Sequence, residues 1–222
     1  MRILPCLVAL GLAAGLAAPA AGQNAANDPN ESKGQARPEG GDSLRDGVRF
    51  LGGFSAGLFL HESAHMATGA ALGARPRIDR LSIPLPFMVV HYDPVSRRRE
   101  FAIASSGFWL QHLVSECLLT AQPELRRTAA PFRKGLFAFG VGTSALYAIA
   151  ALTTTGPRER DTRSLATSLG RDGVPEPAAG ALILAPAVLD VYRYYRPHSA
   201  WARWTSRAVK ALSLGLVFAA GR

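Results

Sequence analysis

The chain has 222 residues, 48% of them hydrophobic and 18% charged, with a net charge of +9. That length suits one domain, and the charged share lies below the ~25% usual in soluble domains. The basic excess is almost wholly Arg beside apolar runs, without interleaved aromatics, which speaks against nucleic acid as a partner and for juxtamembrane charge facing anionic lipid.

Residues 1–22 read as a secretory signal peptide or an uncleaved anchor: Arg2, an apolar stretch, then Ala18-Pro19-Ala20 as a small-residue cleavage site. Residues 23–47 are rich in Gly, Asn, Pro, Ser and charge, and predict a flexible linker. Residues 48–222 predict one membrane-embedded domain. Cys6 and Cys117 fall in different apolar runs, so no structural disulfide is expected.

Residues 48–74 form an apolar run long enough to cross a bilayer core of about 30 Å as a helix. Gly53 and Gly57, and again Gly69 and Gly73, sit four apart, a spacing that admits a close neighbour helix or merely loosens this one. Residues 80–93 are β-branched and apolar but broken by Pro84 and Pro86. They predict an edge strand, a re-entrant hairpin or a loop on the membrane surface. Residues 101–120 are a second apolar span, in which His112 and Glu116 share a helical face, as hydrogen-bonding groups between helices or as ligands. A third span, 135–155, carries no charge and reads as packing, and 157–177 reads as a charged loop without periodicity. In a fourth span, 178–195, Pro186 predicts a kink or opening just before Asp190. Asp190 is there either a site acid or an interfacial partner of Arg193 and Arg196. Residues 198–222, with Trp201, Trp204, Arg203, Arg207 and Lys210, predict an interfacial helix or a short last span. The expected fold is an all-α polytopic membrane protein of about four to five transmembrane helices, with a short re-entrant β element after the first. The positive-inside rule does not settle its orientation.

The chemistry concentrates in His61-Glu62-Ser63-Ala64-His65. On a helix, two His four apart project from one face and suit a shared Zn²⁺, with Glu62 placed to take a proton from an attacking water. Ionisable groups within an apolar span ask for a partner, and a metal supplies one. The rival is a chance match in a packing helix.

This motif, with Ala67 and Ala71-Leu72-Gly73, resembles the HExGH…A…LG helix of the site-2 protease family, intramembrane zinc metalloproteases, with Ala64 where the family has Gly. Pro186, Leu189 and Asp190 resemble the family's N-x-x-P-x-x-P-L-D-G signature, without its Asn and final Gly. The segment from Ser105 to His112 resembles a small-residue G-x-x-x-N element, with Gln111 where Asn is usual. The resemblance implies a zinc metalloendopeptidase of a bacterial inner membrane, acting on membrane proteins or peptides. It implies His61, His65 and Asp190 as zinc ligands, Glu62 as general base, and Gln111 and His112 on the substrate or its oxyanion. The β element would present substrate as an added strand. Soluble HExxH enzymes fit less well: Ala71 stands where a third His would fall, and no Glu lies near residue 85. The remaining alternative is a non-catalytic integral membrane protein that binds metal or only packs through this helix.

Overall fold

The computed structural model describes residues 39–82, 87–156, 160–169 and 173–220. The expected signal and most of the linker lie outside them. In chain order the described elements are α1 (Glu39–Ala71), β1 (Arg77–Ser82), β2 (Phe87–His91), α2 (Arg97–Ala121), α3 (Pro131–Thr153), α4 (Asp161–Ser168), α5 (Glu176–Tyr195) and α6 (Ala200–Ala220).

The protein is mostly helical, and α1 is the element the others gather on. It starts at Glu39, so the last residues of the expected linker are helix instead, with Asp46 and Arg49 paired one turn apart at 3.8 Å. It packs against α3 and α2. The crossing with α3 is a backbone-to-backbone approach. A Cβ on Gly53 would overlap the carbonyl of Phe132, and one on Gly135 would overlap that of Phe50. Gly57 leaves room for the ring of Phe139, which meets Phe54 edge-on at 5.3 Å. The first small-residue pair therefore does admit a helix.

The second pair serves other ends. Gly69 leaves room for the Tyr92 ring, while Gly73 takes φ +77° and stops the helix. The Gly73 amide donates to Ala70 at 3.1 Å and the Ala74 amide to Gly69 at 2.8 Å, the Schellman arrangement that satisfies terminal carbonyls. The chain then turns into the antiparallel β1–β2 hairpin, irregular between Ile78 and Arg80. A two-stranded hairpin is thus present where the sequence leaves open an edge strand, a re-entrant hairpin or a surface loop. Asp93 ties its base to α1, its amide donating to Ala74 at 2.8 Å and its carboxylate facing Arg77 at 3.5 Å.

Beyond the hairpin, α2 lies between α1 and α4, and α3 packs on α5. Phe101 and Ala104 of α2, Leu165 and Ala166 of α4 and Ala179 of α5 form one buried cluster. The expected loop at 157–177 thus contains a short helix, whose Thr162, Leu165 and Ala166 recur at helical spacing and are buried. The expected break at Pro186 is not seen as an end: Pro186 is fully buried inside α5, which continues to Tyr195.

Among the described residues, one helix, α3, is both long and apolar enough to cross a bilayer, with a mean hydropathy of 1.7. The other long helices dilute their apolar character with polar side chains that the fold turns inward, among them His61, His65, Gln111, His112, Asp190, Arg193 and Lys210.

Candidate metal centre

His61 and His65 lie one turn apart on α1 and both are buried. Their Nε2 atoms face each other at 3.0 Å. The surrounding hydrogen bonds fix the tautomers. His65 Nδ1 lies 2.7 Å from the carbonyl oxygen of Ile103, which only accepts, so the proton is on Nδ1. His61 Nδ1 lies 2.9 Å from Gln111 Oε1. The Gln111 amide cannot be flipped, because its Nε2 donates to the Gly140 carbonyl at 3.1 Å and to Ser144 Oγ at 2.6 Å. Ser144 in turn donates to the Gly140 carbonyl at 2.9 Å. His61 therefore also carries its proton on Nδ1.

Both Nε2 atoms are left with lone pairs, and a carboxylate completes the set. Asp161 Oδ2, at the first turn of α4, lies 3.4 Å from each. His61, His65 and Asp161 are the one group of metal-ligating side chains so gathered among the described residues. Two lone pairs and an anionic oxygen at these distances repel unless a cation lies among them: a proton on one imidazole, or a metal ion. The edges of a tetrahedron with Zn–N and Zn–O bonds of usual length measure about 3.3–3.6 Å, so the three donors fit a metal with little adjustment. Each imidazole is oriented through its other nitrogen by a carbonyl oxygen, as metal-binding His usually are.

The neighbours hold the trio in place. Ile103, Gly107 and Gln111 recur every four residues along the face of α2 that meets the imidazoles. A Cβ on Gly107 would come within 2.6 Å of His61 Nε2. Tyr147 of α3 lies beside His61, ring centroids 6.4 Å apart, within electrostatic range of Asp161. On either side of Asp161, Arg160 and Thr162 both bind Glu176. Arg160 Nη2 donates to Oε2 at 2.7 Å, its Nε donates to Oε1, and Thr162 Oγ1 donates to Oε1 at 3.0 Å. This clamp sets the angle at which α4 presents its first carboxylate. Burial alone would raise the pKa of Asp161, but the two imidazoles beside it hold it well below the usual carboxylate range. Glu62, next to His61 and partly buried, is within electrostatic range of His65 and Asp161. Tyr92, which follows the hairpin, also borders this region: burial, then Asp161 and Glu62, push its phenol up.

Comparison with protein-family models, curated proteins and solved structures returned no match to this chain.

His61, His65 and Glu62 thus stand together as the motif suggests. Asp190 does not join them. Its Oδ1 accepts from Lys210 Nζ at 2.7 Å and Ser206 Oγ at 3.0 Å, with Arg193 at 3.6 Å. The acid at the histidines is Asp161, a correction whose physical reason is α4: this short helix docks its N-terminus over the pair, while Asp190 is held by cations of α5 and α6. Gln111 reaches the site, but both ends of its amide are committed inside the protein, so it orients His61 and is not free for an oxyanion. His112 is buried, with Trp109 beside it at 5.8 Å, and its Nε2 has no partner among the described residues. It does not reach the trio. Glu116 does bond between helices, though to Arg193, Arg207 and Lys210 and not to His112. The third span is more than packing, since Gly140, Ser144 and Tyr147 all support the centre. The only signal near Asp161 is the helical spacing of Thr162, Leu165 and Ala166 directly after it, and that spans a single turn.

Proposed function

We propose that this chain is a membrane-embedded zinc metalloendopeptidase, a divergent relative of the site-2 proteases, with His61, His65 and Asp161 as ligands. The observation that carries the reading is the pair of imidazoles whose Nδ1 protons are fixed by Gln111 and Ile103, leaving both Nε2 lone pairs and Asp161 Oδ2 converging. Membrane embedding is supported by an inverted distribution of side chains. Leu51, Phe59, Leu146, Ile149, Leu152 and Leu212 are more than half exposed, while seven charged or imidazole-bearing residues among the described ones are buried. Water disfavours that pattern and a bilayer favours it. A bacterial inner membrane is the location proposed.

A zinc ion held there would supply Lewis acidity and lower the pKa of an attacking water. Glu62 takes the proton from that water at its carboxylate and returns it to the leaving amine. Glu62 sits one residue from His61, so its carboxylate is held by the same helix that carries His61 and His65. The β1–β2 hairpin, whose base is tied to the end of α1 through Asp93, offers an edge on which an extended peptide can add a strand.

The first test is zinc per chain in purified wild type and in His65→Ala, Asp161→Ala and Asp190→Asn. The expectation is about one zinc in wild type and in Asp190→Asn, with loss in the other two. Loss in Asp190→Asn with retention in Asp161→Ala would reverse the ligand assignment. A folded wild type that takes up no supplied zinc would leave the imidazoles bridged by a proton, and the non-catalytic reading would replace this one. Glu62→Gln should keep zinc and lose chelator-sensitive cleavage of a transmembrane substrate in detergent.

A further inference from the structure

A second charged assembly lies apart from the metal centre, where α2, α5 and α6 meet. Glu116 of α2 accepts from Lys210 Nζ at 3.0 Å, Arg207 Nε at 2.9 Å and Arg193 Nη2 at 3.2 Å. Lys210 and Arg193 also face Asp190. Arg203, Arg207 and Lys210 recur at i, i+4 and i+7 along one face of α6. Their exposure falls along it: Arg203 is exposed, the Arg207 side chain is 35% exposed and that of Lys210 8%. At the outer end the three arginines line a cleft with Thr120, between Pro123 and Pro197.

The charges of this assembly do not balance. Arg193, Arg207 and Lys210 face two carboxylates (Glu116 and Asp190), and Arg203 adds a fourth cation at the cleft, an excess of two positive charges. Thr120 is already engaged with Glu116 and Arg207. Glu124, next to the rim, is taken by His198 at 2.9 Å and Arg127 at 3.2 Å. Arg203 has no ion pair or hydrogen bond from its guanidinium among the described residues. A half-buried cationic excess opening on a cleft favours an anion with several acceptor oxygens, the geometry arginine forks recognise. The same end carries exposed Tyr195, Trp201 and Trp204, and Arg207 lies over the Trp204 ring at 5.5 Å. Aromatic residues of this kind collect at the headgroup level of a bilayer.

We propose that this cleft binds the phosphate of an anionic phospholipid, with Arg203 and Arg207 as its main donors and Arg193 behind them. The proposal rests on the membrane-embedded reading but not on zinc or proteolysis. The test is thermal unfolding of the full chain in detergent, titrated with phosphatidylglycerol, phosphatidylcholine or inorganic phosphate. Phosphatidylglycerol is expected to raise the Tm saturably, and phosphatidylcholine is not. Arg203→Ala, which breaks no side-chain hydrogen bond or ion pair among the described residues, should weaken the phosphatidylglycerol response about tenfold or more, with partial recovery in Arg203→Lys. His65→Ala, which removes a proposed metal ligand, should leave it unchanged, so failure here and failure of the protease reading are separable. Equal responses to the two lipids, or an unaltered response in Arg203→Ala, would overturn the site. If inorganic phosphate alone reproduces the shift and lipid adds nothing, the occupant is a soluble anion and the lipid proposal fails.

Discussion

At the scale of single residues, the proposed metal centre depends on side chains that never touch a substrate. Gln111 is the clearest case. Replacing it with Leu leaves the His61 Nδ1–H buried without an acceptor, a loss of about 1–3 kcal/mol, and frees the ring to turn. Zinc affinity should fall ~10–100-fold, read by competition with a chelating dye, with helix content unchanged; an unaltered affinity would remove Gln111 from the site. Gly107 sets a harder limit. In Gly107→Ala the new methyl would come within 2.5 Å of His65 Nε2 and 2.6 Å of His61 Nε2, so zinc should be lost although Ala favours the helix. Retained zinc with both imidazoles in place would show that α2 can back away. Sequence alone made the two histidines and Glu62 legible, because their spacing is local. It could not expose Asp161, which arrives from a hundred residues away through the docking of α4. Nor could it assign Gln111, whose role depends on which way its amide is locked by Gly140 and Ser144.

At the scale of elements, α4 is the part whose placement decides whether a third ligand exists. It has eight residues, too few to be a stable helix alone, so its position comes from contacts. Those are the Phe101–Leu165 cluster and the clamp of Arg160 and Thr162 on Glu176. Burial acts to raise the Glu176 carboxyl, but hydrogen bonds from Arg160 and Thr162, with Arg163 nearby, hold it below its ordinary value. A depressed pKa in the folded state means the clamp stabilises fully above the usual carboxylate range and is lost as pH falls through the lower, folded value. Amide exchange across residues 160–169 should therefore speed up in acid in wild type. Glu176→Ala should already show fast exchange at neutral pH and bind zinc more weakly. Slow exchange in that variant would shift the credit for holding α4 to its apolar face alone. The same scale explains why the sequence misread this segment: the apolar spacing spans only Thr162 to Ala166, shorter than a periodicity window resolves. The α1 motif helix and the hairpin, by contrast, announce themselves through long apolar spacing and paired prolines.

At the scale of the whole molecule, polar chemistry is gathered into two assemblies within an otherwise apolar interior, and many large apolar side chains also stay exposed. The assembly around Asp190 and Glu116 ties α2, α5 and α6 together. Asp190→Asn removes one charge from a buried cluster, a change that typically costs about 3–5 kcal/mol. A large drop in Tm is expected while folded protein keeps its zinc; an unchanged Tm would mean that the cluster contributes little to holding α6. The cluster also bears on how the chain is made. Glu116 and Asp190 emerge from the ribosome before Arg207 and Lys210, so until α6 is released two acids lack most of their counter-charges. A chain stopped short of Ala200 would present quality-control proteases with an uncompensated interior, and pulse-labelled protein should become resistant to digestion only once α6 has been synthesised. Docking of α6 thereby completes the charge pairing that the earlier helices leave open.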